Sequence, residues 1–323
     1  MTLLLSQDDV RAAVDMADAI DAMEMGFKEE GDGGVNQPPR TNIRTSTGFL
    51  RVGPVVMETS GWMGFKAMNL AAGVGVRYQV HLYSVADGDL KAIMDAQHLT
   101  TLRTGATSAV AARRLARAGA TTVAVLGSGV ESRAQLEAMH ALGLVERARV
   151  FSPTVANRER FAAECSKSFG LDIRPVGDAR SAIDGAGIVV AGIKSSEPAV
   201  HGAWLEAGMH VSSVGTARPD QREIDPETFA RSDMVVVDTR HGVFGETGDA
   251  IAAKDVITPE DVYELSEVVA NGGPVRTRDD QITLFKSVGT GIQDIALAAK
   301  IYEHARDRGL GTEFPDFPFI KTT

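Results

Sequence analysis

The stretch GFKAMNL, residues 64–70, sets a lysine in a run that carries no other charge from Thr59 to Val76. Phe65, Met68, Leu70 and Val74 have the pattern of core-facing residues. A lysine among them has two physical outlets. Its stem can lie along apolar surface with the ammonium in water. Alternatively the ammonium points into a pocket, where low dielectric lets it orient a ligand and relay a proton. A second group capable of chemistry is the glycine loop in VAVLGSGVESRAQ, with Gly127, Ser128 and Gly129, and Ser132 where a third glycine or alanine is usual. A buried strand before the loop and a helix after it suit a dinucleotide. Gly127 permits the tight turn. Gly129 lets the backbone approach a pyrophosphate held at the helix N-terminus. A tight strand–helix turn without a ligand is the alternative.

The next strand decides which dinucleotide fits. An NAD-binding fold usually places Asp or Glu about 20 residues past the glycines, on the ribose 2′-hydroxyl. This chain reads VFSPTVANRER there, with Ser152 and Thr154 at that place. No carboxylate repels a 2′-phosphate, and Ser152, Thr154 and Arg158 offer hydroxyl donors and charge. NADP(H) is therefore the preferred cofactor, with NAD(H) still open. Arg158 also fits an exposed helix position.

These groups need a frame. Ser6 and Asp9 form a capping-box pattern that opens a short helix, and a second helix runs from about Met16 to Glu30 before GDGG. Residues 35–57 alternate as strands do, and YQVHLYSVADGDLKAIMD reads as two strands around an Asp87-Gly88 turn. The first part of the chain is thus a mostly antiparallel sheet with helices before it. After Asp95 an Ala-rich helix runs to Gly119, and strand and helix signals then alternate through TTVAVLGSG, ARVFS, DIRPV, GIVVAGI, HVSSVG and DMVVVDT. That alternation defines an α/β fold, a Rossmann doubly wound parallel sheet beside a smaller α+β domain. Near the end, a strand and a glycine turn lead to a helix with Ile292, Ile295, Ala296 and Ala299 as its apolar stripe. The expected division is 1–117 with 290–323 as substrate and dimerisation domain, and 118–289 as dinucleotide domain.

The bulk properties set limits. A chain of 323 residues has room for two domains. The formal net charge of −10 argues against nucleic acid and anionic membrane as partners, while leaving room for a locally basic pocket. Cys165 is the only cysteine, which excludes an intrachain disulfide and a cysteine-based zinc site and fits a reducing compartment. The seven histidines show no metal-ligand spacing, and no metal is expected. The apolar run in MTLLLSQDDV is too short for a signal peptide and no stretch is long enough to span a membrane, so a cytoplasmic protein is expected. Glu246 and Asp249 of FGETGD order a turn on the plainest reading.

Several blocks, taken in order from about residue 35 to 305, resemble the ornithine cyclodeaminase/mu-crystallin family: QPPRT, GFKAMN, GDLKAIMDAQHLTTLRTGATSAVAARRLAR, VLGSGVES, EPAVHGAWLEAGMHVSSVGTARPDQREID and FKSVGTGIQDIALAAKIYEHA. The resemblance implies a homodimer that binds NAD(P) and interconverts an amino acid and its imine by hydride transfer at the α-carbon. It matches Arg40 and Arg103 to substrate-carboxylate arginines, Lys66 to the substrate lysine, and Ser287, Val288 and Gly289 to the segment beside nicotinamide and substrate. The implied catalytic pair is Lys66 and Arg103, with Arg40 and Val288 also at the substrate. The implied cofactor set is Thr104, Gly127, Ser128, Gly129, Val130, Glu131, Ser152, Thr154, Arg158, Val214, Ser287 and Gly289.

One departure narrows the chemistry. Family cyclodeaminases place an aspartate where this chain has Ala217, and alanine moves no proton. Asp220 lies nearby beyond Pro219. The expected activity is therefore reduction of α-imino acids, or the reverse oxidation. Two alternatives are a cyclodeaminase with retained NAD and a non-catalytic NADPH-binding protein. Net consumption of added cofactor separates the first from the other two.

Overall fold

The computed structural model describes residues 1–270 and 276–315. In chain order the elements are β1 (Thr2–Leu5), α1 (Gln7–Ala13), α2 (Met16–Gly31), β2 (Val35–Asn36), β3 (Thr41–Arg44), β4 (Gly48–Met57), β5 (Trp62–Ala71), β6 (Gly75–Ser84), β7 (Leu90–Asp95) and α3 (Gln97–Leu115). There follow β8 (Thr122–Leu126), α4 (Val130–Ala141), β9 (Arg147–Phe151), α5 (Val155–Phe169), β10 (Asp172–Pro175), α6 (Ala179–Ile183), β11 (Ile188–Ala191) and β12 (His210–Ser213). The chain continues through α7 (Pro226–Arg231), β13 (Met234–Val237), α8 (Arg240–Glu246), α9 (Gly248–Ala252), β14 (Tyr263–Glu264), α10 (Leu265–Ala270), β15 (Thr283–Lys286), α11 (Gly291–Arg308) and β16 (Thr312–Phe314).

The chain divides into two compact units, Met1–Arg103 with Thr290–Thr323, and Thr104–Gly289. The first cut falls inside α3, not after it at 117/118 as the sequence suggested. Helix propensity shows where α3 runs; it says nothing about which half of the helix packs with which sheet.

In the first unit, among the described residues, one sheet runs in the order β16-β1-β7-β6-β5-β4-β2, with β3 on β4. Strands β4 to β7 are antiparallel neighbours, and β1 joins β7 in parallel. The β6–β7 turn has Gly88 at φ 71°, the left-handed conformation that the Asp-Gly pair favours. Both first helices open with complete capping boxes, Ser6 with Asp9 and Asp15 with Asp18. Register separates the two faces of the sheet. Leu4, Ile93, His81, Phe65, Pro54, Leu50 and Ile43 are paired across neighbouring strands and share one face. Lys66, Gly64 and their partners Val80 and Leu82 share the other. On that face Gly64 abuts Ile295 of α11.

The second unit is a doubly wound sheet in the order β10-β9-β8-β11-β12-β15-β13-β14, parallel throughout. Strands β11, β12, β13 and β15 are buried along their whole length, so their sequences are near-continuous runs instead of alternations. Winding reverses between β8 and β11. Ligand crevices of such sheets lie outside the strand C-termini at that reversal.

Candidate active site

In the first unit, β5 carries Lys66 on the face that α11 covers. The lysine does not snorkel. Its side chain is only 12% exposed, and Nζ donates to Asp294 Oδ1 at 2.8 Å and to Thr100 Oγ1 at 3.4 Å. Arg103, on α3, donates from Nε to the same Oδ1 at 3.1 Å and from Nη1 to Gln293 Oε1 at 3.0 Å. The ring of Tyr78 lies 5.7 Å from the ammonium. One buried carboxylate thus holds two cations that the sequence had presented separately. Burial pushes the Lys66 ammonium down to about 8. Asp294 opposes that shift, while the charges of Arg103 and Arg40 add to it. Arg40, half-buried ahead of β3, therefore belongs to the same electrostatic group. Lys66, Arg103 and Arg40 thus act on one another's charge, with Asp294 as the carboxylate that Lys66 and Arg103 share. Arg77, left aside by the sequence, is exposed.

Asp294 and Gln293 were missed by sequence reasoning. Ile292, Ile295 and Ala299 are buried as the apolar stripe of α11 requires, but Gln293 at 1% and Asp294 at 4% exposure are buried with them. The available signal was the one that singled out Lys66, a lone charge inside an apolar run.

In the second unit, β8 ends in the glycine turn. Gly127 has φ 104°, and a Cβ there would lie 2.7 Å from Ser132 Oγ and 2.8 Å from Gly192 O. Only glycine meets both demands. Gly129 is the N-cap of α4, and a Cβ there would meet nothing within 4 Å, so the backbone is open at the helix N-terminus. Val130 and Glu131 form the first turn of α4. Ser132, in place of the usual third glycine, is fully buried and its Oγ bonds the carbonyls of Leu126 and Gly192, both at 3.3 Å. At the end of β9, Ser128 Oγ donates to Ser152 Oγ at 3.0 Å, and Arg158 Nη1 donates to Ser152 O at 3.0 Å with its guanidinium over Phe151. Thr154 is the exposed N-cap of α5. The adenosine-side residues expected from sequence are therefore grouped at the C-terminal ends of β8 and β9.

The remaining expected residues also lie in this unit. Thr104 is buried in α3. Val214 follows β12 and its N–H bonds Ala191 O. Ser287, Val288 and Gly289 follow β15 and are held by Asp238, which accepts from Ser287 Oγ at 2.6 Å, Val288 N at 3.0 Å and Gly289 N at 2.7 Å. Asp238 was another omission. Its signal is a carboxylate closing the apolar run VVVD. Ala217 stands in the segment after β12, and Asp220 is tied to Arg218 by two bonds of 2.9 and 2.7 Å at the surface. Among the described residues no cluster of His, Cys, Asp or Glu could hold a metal, and no helix is long and apolar enough to cross a membrane.

A doubly wound sheet with a glycine turn at its reversal point, joined to a unit that gathers buried cations around one carboxylate, defines the class of two-unit dinucleotide-binding proteins that handle small anions. The chain belongs to the ornithine cyclodeaminase/mu-crystallin family, whose profile spans residues 1–309. It is similar to the Δ1-pyrroline-2-carboxylate reductase of Thermococcus litoralis, solved with NADH and L-proline, at 35% identity and a TM-score of 0.91 over 97% of this chain and 100% of that one. An archaeal alanine dehydrogenase, solved as a dimer with NAD, gives 29% identity and a TM-score of 0.90 over 98% of this chain and 99% of that one. The ketimine reductase mu-crystallin of Mus musculus is 29% identical over 306 residues, 92% of this chain and 94% of that protein.

Proposed function

We propose that the protein is an NAD(P)H-dependent reductase of α-imino acids, able to run in reverse as an amino acid dehydrogenase. The observation that carries this is the buried pair of Lys66 and Arg103 on Asp294, within the field of Arg40, in a chain whose similar proteins include a pyrroline-2-carboxylate reductase, a ketimine reductase and an alanine dehydrogenase. The guanidinium groups match a planar carboxylate. Lys66, with its proton affinity lowered toward neutrality, is suited to give a proton to the imine nitrogen as the α-carbon is reduced. In the reverse direction the neutral amine of Lys66 takes that proton from the substrate. Asp294 holds both cations in place and keeps Lys66 protonated near neutral pH. The nicotinamide supplies or takes the hydride. Gly127, Gly129 and the N-terminus of α4 are suited to its pyrophosphate, Ser128, Ser152, Thr154 and Arg158 to the ribose end, and Thr104, Val130, Glu131, Val214, Ser287 and Gly289 to the rest, with Val288 toward the substrate.

NADP(H) is the preferred cofactor in this reading. The end of β9 carries two hydroxyls and the Arg158 cation, with no carboxylate to repel a 2′-phosphate. The protein acts as a homodimer, paired through the sheet face of Ile43, Leu50, Phe65 and Leu4. Ile43 is 56%, Leu4 44% and Leu50 39% exposed on that face, an apolar patch suited to a second copy. A cytoplasmic setting agrees with the single buried Cys165, whose thiol burial pushes up and keeps unreactive.

The test is one substrate panel. Pyrroline-2-carboxylate, piperideine-2-carboxylate, and pyruvate with ammonia or methylamine are each offered with NADPH and with NADH. Loss of reduced cofactor with at least one of them is expected; a protein that binds the nucleotide and turns over none would be a cyclodeaminase or a binding protein instead.

A further inference from the structure

Behind the cofactor crevice the second unit hides a charged knot that no step above uses. Lys286, Glu223 and Asp249 are each wholly buried. Lys286 Nζ lies 2.7 Å from Asp249 Oδ2 and 3.4 Å from Glu223 Oε2. Asp249 Oδ1 accepts the backbone N–H groups of Glu223 at 2.6 Å and Ile224 at 3.0 Å. Glu246 and Asp249 therefore part company: Asp249 does more than order its own turn, since it fixes the backbone that presents Glu223.

Glu223 in turn reaches two other strands. Oε1 accepts from Ile193 N at 2.7 Å, just past β11. Oε2 accepts from Gly215 N at 2.8 Å, just past β12, and from Ser213 Oγ at 2.6 Å. All of these partners, and Lys286, are donors. Burial raises the carboxyl's proton affinity, but two backbone N–H groups and the Lys286 ammonium, which can only donate, converge on its oxygens and favour the ionised form. A Cβ on Gly215 would run into the Glu223 carboxylate and Ile193 N, so the close approach of these segments needs glycine there. The residue before Ile193 is gripped from the opposite side: Gly192 O accepts from Ser132 Oγ, whose other bond is to Leu126 at the glycine turn. The segment after β11 is thus strung between the glycine turn and Glu223, at the reversal point of the sheet.

We infer that Glu223, neutralised by Lys286 and steadied by Asp249, is a positioning residue that fixes the β11 and β12 ends as one wall of the dinucleotide crevice. This rests on the functional reading above, because the ligand of that wall is the nicotinamide cofactor. Glu223→Gln removes the charge and turns a donor toward Gly215 N, Ser213 Oγ or Ile193 N. The wall then slackens while the glycine turn itself stays intact.

The experiment measures the Kd of NADH and of NADPH by fluorescence titration of the full chain, with thermal melting on the same samples. Two variants are compared, Glu223→Gln and the double variant Glu223→Gln/Lys286→Met. The double variant also takes the ammonium from Asp249 and leaves that buried carboxylate without its counter-ion. Glu223→Gln is expected to weaken the better nucleotide about ten-fold or more, the scale of an orphaned buried hydrogen bond, while the imine KM at saturating cofactor changes by less than about two-fold. The double variant is expected to melt lower than Glu223→Gln while binding nucleotide no more weakly, because the wall is already released in the single variant. Unchanged Kd in Glu223→Gln, or a Kd that weakens further in step with melting temperature in the double variant, would show a merely structural knot and overturn the inference. Wild-type protein that binds neither nucleotide would overturn the functional reading and this inference with it.

Discussion

Replacing Asp294 by asparagine removes the negative charge that Lys66 and Arg103 share. Asparagine is nearly the same size and its Oδ1 still accepts a hydrogen bond, so the packing of α11 against β5 is kept. What changes is the proton affinity of Lys66. In the native protein burial has lowered it to about 8, against the pull of Asp294 at 2.8 Å and with the push of Arg103 and Arg40. At an effective dielectric of about 20, a charge pair roughly 4 Å apart is worth about 4 kcal/mol. Each pH unit corresponds to about 1.4 kcal/mol, so the loss of Asp294 moves the Lys66 equilibrium down by about two to three pH units. Burial and the two arginines then act without that pull. Imine reduction needs the ammonium form, so wild-type kcat/KM falls as pH rises through about 8. Amine oxidation needs the neutral form and rises over the same interval. In Asp294→Asn the falling limb of reduction moves to about pH 5 to 6, and activity at pH 7 drops accordingly. The assay is the pH profile of kcat/KM in both directions for both proteins. A variant whose limb stays where the wild type's lies, at whatever absolute rate, would refute the electrostatic role of Asp294. Its effect would then be geometric.

Other outcomes follow from the same geometry. Lys66→Ala should lower kcat by about 10²- to 10⁴-fold, the usual worth of a positioned acid or base, with nucleotide Kd unchanged; near-normal turnover would return the lysine to a packing role. Arg103→Ala should raise the substrate KM by about ten- to a hundred-fold through loss of a charge-assisted pair, as measured by steady-state kinetics. Ser152→Asp should penalise NADPH over NADH, because a carboxylate bonded at Ser128 would face the 2′-phosphate; a kcat/KM ratio that is unchanged would remove Ser152 from that site. Ornithine with catalytic NAD should yield neither ammonia nor proline, since Ala217 offers no base and Asp220 is engaged by Arg218 at the surface. Robust formation of both would restore the cyclodeaminase reading.

Local pattern made most of the frame legible. The all-buried strands of the second unit appear in the sequence as apolar runs, and the helix starts as capping boxes, because each is decided within a few residues. The cut between units inside α3 was invisible, since a continuous helix gives no local sign of changing its neighbours. The site was legible in halves. Lys66 stood out as a charge in an apolar run, but its counter-ion lies 228 residues away in sequence, on α11. Asp294 was hidden by the strength of the helical stripe around it. Asp238, Glu223 and the reach of Asp249 beyond its own turn were hidden for a different reason: each acts through backbone N–H groups of distant loops, and backbone partners leave no residue type to recognise.

The central claim is net reduction of an α-imino acid at the expense of added cofactor. Its most direct test incubates the protein with each imine of the panel and an excess of NADPH or NADH, and measures cofactor oxidised and amino acid formed in the same sample. The account predicts sustained turnover with at least one of them, one amino acid formed per cofactor consumed, and loss of both signals together in Lys66→Ala. If no acid of the imine panel gave net oxidation of either NADPH or NADH, although the nucleotide was bound, the claim would be contradicted.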